Sequence, residues 1–171
     1  LEATTAFHNH NITAAAFSPD DTTIVFTDND STFYMWDTIE QPEINRGIVH
    51  AERATSNLEN NEHVVYSSDN SVIAVLQSFQ AVLLDPASGN IIHELSDISG
   101  VIVDMSFSPD DTMLAVASSE GLYIFDVATG QQSAFFADAN DWLNDVAWSN
   151  DQTMIVTTAS DHAVRVYTVG E

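Results

Sequence analysis

Apolar residues in this chain come in short runs separated by clusters of Ser, Pro, Asp, Asn and Thr. No stretch of ten or more residues repeats its apolar positions with the 3.6-residue period of an amphipathic helix. β-rich runs at 23–27, 72–76, 113–116 and 154–158 alternate with a second set at 33–36, 81–84, 122–125 and 164–167. A third kind of run, such as 91–95 and 132–136, precedes the next unit. The runs are bounded by Ser18-Pro19-Asp20-Asp21, Ser108-Pro109-Asp110-Asp111 and similar tetrapeptides. These are turn sequences, because proline presets φ and an aspartate can accept the backbone N–H two residues on. Strands at this spacing predict an all-β array.

The array is internally repetitive. Residues 12–22 read ITAAAFSPDDT, 102–112 read IVDMSFSPDDT and 143–153 read LNDVAWSNDQT, with a weaker copy, HVVYSSDNSV, at 63–72. The aromatic before each turn is Phe17, Tyr66, Phe107 or Trp148, at successive spacings of 49, 41 and 41 residues. A second landmark keeps step with the first: Trp36-Asp37, Leu84-Asp85, Phe125-Asp126 and Tyr167-Thr168 end 20, 19, 19 and 20 residues after their aromatics. A period of about 40–45 residues is the length of one four-stranded propeller blade.

These residues resemble the WD-repeat (WD40-type) β-propeller family over essentially the whole chain. The first copy carries the fullest pattern: His8 at the loop histidine, Asp30 at the tight-turn aspartate and Trp36-Asp37 as the signature dipeptide. In that family the histidine, aspartate and tryptophan join a strand Ser or Thr, here assigned to Thr27, in a buried hydrogen-bonded network. The last copy keeps the aspartate as Asp161, whereas the histidine position reads Asn57, Ile98 and Ala139 in the later copies. The resemblance implies an all-β propeller of four-stranded antiparallel WD-type blades, four in this chain. The domain is a single array over 1–171, in segments of about 1–40, 41–87, 88–128 and 129–171. The chain opens with an outer-type strand at 3–8 and closes on a third strand, so the first strand is expected to complete a C-terminal blade and remove both exposed edges. Four closures remain open at this level: a two-chain eight-bladed ring, an excised piece of a longer chain, a filament, and a closed four-blade monomer. The opening residue, Leu1, sets the expectation of a processed or excised chain.

Charge narrows the partners. There are 26 acidic residues against Arg46, Arg53 and Arg165, no lysine, and a formal net charge of −23. Such a surface repels nucleic acid and anionic membranes, so neither is expected as a partner. It implies either screening by high salt or a cationic or basic partner. No apolar run approaches the roughly 20 residues that span a bilayer. The expectation is a soluble protein, either of the cytoplasm of a salt-adapted organism or secreted. The absence of cysteine excludes disulfides, zinc–thiolate sites and thiol catalysis.

No spacing resembles a nucleophile elbow, a phosphate loop or a metal-binding helix, so no catalytic residue, cofactor or metal is assigned. Asp28-Asn29-Asp30 and the stretch 138–141 lack the glycine and terminal glutamate of a twelve-residue calcium loop. A candidate binding face is read from His10, from Trp142 next to Asp141 at the entry to the last repeat, from His162, and from Arg46 and Arg53 in an insertion spanning 41–61. The function expected is a non-catalytic scaffold that binds a protein or peptide. The alternatives are a structural subunit that self-associates by blade or strand exchange, and a propeller hydrolase with a channel metal.

Overall fold

A computed structural model describes residues 11–29, 33–37, 63–77, 80–137 and 141–169. Fourteen strands, and no helix, occur among them. They form four antiparallel meanders. Blade one is β1 (Ile12–Phe17), β2 (Thr23–Asp28) and β3 (Phe33–Asp37). Blade two is β4 (His63–Tyr66), β5 (Ile73–Gln77), β6 (Gln80–Leu84) and β7 (Ile91–Leu95). Blade three is β8 (Ile102–Phe107), β9 (Met113–Ser118), β10 (Gly121–Asp126) and β11 (Gln132–Phe136), and blade four is β12 (Leu143–Trp148), β13 (Met154–Ala159) and β14 (Val164–Thr168). The fourth strands β7 and β11 thus come from the start of the next sequence segment.

The first turn of every blade is the same device. Ser18, Ser67, Ser108 and Ser149 each donate their hydroxyl to an aspartate two residues on, at 2.6–2.8 Å. The same hydroxyls accept the backbone N–H that opens the second strand or its approach, as Ser108 Oγ does from Met113 at 3.0 Å. The residue after the aspartate has a left-handed backbone at Asp21, Asn70, Asp111 and Gln152, with φ near 60°. Asp and Asn tolerate that conformation better than most residues, whereas Gln152 gains less from local bonding. The aspartates are held below the ordinary carboxylate range, chiefly by Ser18 for Asp20, Ser71 for Asp69, Ser108 for Asp110 and Ser149 for Asp151. A second turn type uses Asp85 and Asp126, which accept from Ser88 and Thr129 before Gly89 and Gly130. Six of the 26 acidic residues of this chain are therefore turn acceptors.

Blades stack through their first strands, β1 against β4, β4 against β8 and β8 against β12. Strand alternation sends the seventh residue after each marker aromatic toward the preceding blade and the eighth toward the following one. Val25 of blade one therefore meets Ile73 of blade two in one apolar seam, which also holds Phe33, Val64 and Leu84. Ala74 meets Leu114 in the second seam, with Leu83, Met105 and Phe125. Ala115 meets Ile155 in the third, with Leu122, Leu143 and Tyr167. Full burial of one such side chain is worth about 1.5–3 kcal/mol, so these seams and not the isolated meanders hold the array together. Polar bridges cross them too: Trp148 Nε1 donates to Ser106 O at 3.0 Å, and His93 Nε2 lies 2.9 Å from Ala128 O. Among the described residues no comparable seam joins blade four to blade one.

Candidate functional site

The strand polarity sorts the loops into two ends. The Ser–x–Asp turns and the Asp85 and Asp126 turns share one end. The turns between second and third strands, and the connections entering each blade, share the other. Trp142 stands at this second end, 51% exposed. Both its backbone groups are bonded: Trp142 O accepts from Ser160 N at 2.8 Å, and Asp141 Oδ1 accepts the Trp142 N–H at 2.8 Å. His162 lies in the β13–β14 turn, the turn that also holds Ser160, with φ of 67°. Asp141, Trp142 and His162 thus lie at the same loop end of blade four. His10, Arg46 and Arg53 lie outside the described residues.

Of the expected network, His8 and Asp30 also lie outside the described residues. Trp36 pairs across the sheet with Ile24 and is half-buried on the side of blade one that faces away from blade two. Alternation puts Thr27 on the opposite side from Trp36, buried, with its hydroxyl 3.1 Å from Thr13 Oγ1. Ile24, Phe26 and Asp28 are the β2 residues on the side of Trp36, and Asp28 accepts from Tyr34 Oη at 3.0 Å. In blade four Asp161 accepts from Arg165 through both carboxylate oxygens, one contact measuring 3.1 Å, and from Ala163 N at 3.1 Å. One of the three arginines thus closes a turn of its own strand pair.

A further grouping was not anticipated. Three residues before each marker aromatic stand Ala14, His63, Asp104 and Asp145, one per blade, on the adjacent first strands. His63 Nδ1 lies 2.9 Å from Asp104 Oδ1, and Asp104 Oδ2 accepts Val146 N–H at 2.9 Å. Burial pushes the Asp104 carboxyl up, but the hydrogen bonds from His63 and from Val146 outweigh it and hold the group below the ordinary carboxylate range. Asp145 moves the other way, raised first by its hydrogen bond to Asp104 and then by burial and like charge. The row links blades two, three and four. Its signal in the sequence is a shared offset from the aromatic, visible only once the strands are known to be neighbours. Among the described residues no group of three or more His, Cys, Asp or Glu is placed to hold a metal ion, and no helix is long and apolar enough to cross a membrane.

A family model described as "WD domain, G-beta repeat" matches residues 2–37 and 130–168. These matches support assignment of the chain to the WD-repeat family. The two matched segments are the first repeat and the last, and the signature dipeptide Trp36-Asp37 closes the first of them. Among solved structures, the crystal structure of the computationally designed Ika4 protein superimposes with a TM-score of 0.76. It shares 18% identity, over 98% of this chain and 96% of that one. At that identity the likeness shows the fold alone. No curated protein matches the chain in sequence. WD repeats serve in general as protein-interaction scaffolds, and the matches support that general class of function.

Proposed function

We propose that this chain is a non-catalytic scaffold that binds a protein or peptide through the loop end carrying Asp141, Trp142 and His162. The supporting observation is Trp142, half exposed on a hydrogen-bonded loop. A large aromatic that is already held in place loses little entropy on binding, which is why tryptophan dominates interface energetics. The net charge of −23 favours a basic partner. His10, Arg46 and Arg53 belong to the same proposal as further contact residues, and the network of His8, Asp30 and Trp36 as the brace of the first blade. The test is selection of displayed peptides on the wild-type chain, followed by measurement of the same peptides on Trp142→Ala. Binding should weaken at least about tenfold, a hot-spot loss, with an unchanged circular dichroism spectrum. Peptides that bind both proteins equally would remove Trp142 from the binding face.

A second reading, self-association, is supported by one particular observation. The face of blade four turned away from blade three is apolar and exposed, with Met154, Val164 and Val166 on it. The strand at 3–8, proposed to complete a C-terminal blade, would act in the same assembly.

A further inference from the structure

Resting on the self-association reading, we infer that the outward face of blade four is covered by blade one of a second copy of this chain, head to tail, so that two chains close one eight-bladed ring.

The repeat itself supplies the argument. At three successive seams, the following-side face of one blade is covered by the preceding-side face of the next. Blade four presents the following-side face once more. Register places Ala147, Met154, Val156, Thr158, Val164 and Val166 on it. These are the positions of Ser106, Met113, Ala115, Ala117, Leu122 and Ile124 one repeat earlier, and all but the first of those belong to or pack on the third seam. Among the described strand residues, register adds one acidic residue to this face, Asp145 opposite Thr158, in a chain with 26 of them.

The complementary surface exists in the same sequence. On blade one Ile24 occupies the position of Ile73, Leu114 and Ile155, each of which enters a seam. Phe17 occupies the position of Tyr66, Phe107 and Trp148, each packed on a seam, yet Phe17 is 60% exposed. Blades four and one of a single chain form no such seam among the described residues. A second chain can supply both missing seams at once, because a head-to-tail contact made twice closes a two-fold ring. Eight blades lie within the range over which propellers close. The polar row extends the same way. Asp145 stands where Asp104 stands one blade earlier, and the backbone N–H corresponding to that of Val146 belongs to Ala15 of the second copy.

The test is solution mass by light scattering on a sizing column, for the wild type, Val166→Asp and Phe17→Asp. Both side chains are exposed in the single chain, so each variant should keep the wild-type circular dichroism spectrum; Val164→Asp repeats the first test should Val166→Asp lose it. The inference expects two chains for the wild type and one for each variant alone. It also expects a return of two-chain mass when the two variants are mixed in equal amounts. The mixture regains one intact seam, between unaltered blade one of the Val166→Asp chain and unaltered blade four of the Phe17→Asp chain. A wild type of one chain overturns both the inference and self-association. A two-chain wild type whose mass survives Val166→Asp overturns this face while self-association stands. Loss of mass in Val166→Asp but not in Phe17→Asp shows like faces pairing, and overturns the head-to-tail arrangement. Masses that grow beyond two chains with concentration overturn ring closure.

Discussion

Leu122 and Ile124 of blade three are 0% and 6% exposed, whereas Val164 and Val166, at the same positions one repeat later, are 67% and 61% exposed. The local sequence is of one kind in both places: a β-rich third strand with its apolar residues spaced two apart. The strand pairing is the same too, Ile124 with Ala115 and Val166 with Val156. The difference lies in the neighbour. Blade four lies over the first pair, and no described residue performs that service for the second. Burial in a repeat protein is thus a property of the stack, and stability approximates a sum of blade terms and seam terms.

That contrast can be broken by truncation. Leu122→Ala should cost about 3 kcal/mol, because it removes a buried side chain from a seam that cannot collapse fully. Val164→Ala should cost no more than about 0.5 kcal/mol at concentrations where the chain is single, as expected for an exposed site. Chemical denaturation in dilute protein measures both. Equal costs would mean that the outer face is already covered within one chain. A cost for Val164→Ala that appears only as concentration rises would sharpen the case for a covering copy.

The turn serines repeat the comparison on a smaller scale. Ser108, almost fully buried, accepts from Met113 N–H and donates to Asp110. Ser108→Ala should cost about 1–2 kcal/mol through the orphaned backbone N–H. Ser149 makes the matching bonds in blade four nearer to solvent, so Ser149→Ala should cost about half as much, because water can replace the hydroxyl. Denaturation midpoints at fixed slope would rank the two.

Acid should affect both regions alike. Asp20, Asp69, Asp110 and Asp151 all hold their protons less tightly in the fold than at the ordinary value of 3.8. Their contribution is complete above that value and is lost as pH falls through the lowered folded values. Stability followed from pH 6 downward should therefore decline through the acid range, and the alanine variants of these aspartates should decline less.

The smallest effect is expected at the polar row. Asp145 is raised in the fold, so its contribution is present below the ordinary carboxylate value and is lost as pH rises through its folded value. At neutral pH its charge beside Asp104 opposes folding. Asp145→Asn should then stabilise the single chain by at most about 0.5 kcal/mol, since solvent screens so exposed a group. The gain should vanish in acid, where both residues are neutral. Melting temperatures at two pH values would show it, and a loss of stability at neutral pH would mean that the carboxylate makes a contact the asparagine cannot replace.

Much of this molecule was legible before any coordinates. The β-rich runs, the Ser–x–Asp turns and the two landmarks in step place strands and turns, because backbone preferences and side-chain-to-backbone bonds act within a few residues. Trp142 could be set outside the core from register alone. The assignment of partners was harder. Thr27 sits on the face away from Trp36 because one residue along a strand reverses the side chain, and the deciding register runs through the β2–β3 pairing. The row of His63, Asp104 and Asp145 has no local signature, since its members come from three strands that meet only when blades stack.

The sequence by itself determined the repeat, the all-β class, the turn chemistry and the acidic surface, all consequences of short-range rules. Tertiary structure alone decided which apolar faces are covered, which carboxylates are brought together, and that the described array ends on an open face. Those outcomes depend on contacts between residues some forty positions apart, and the seam that buries Leu122 can be seen only where the next blade is in place.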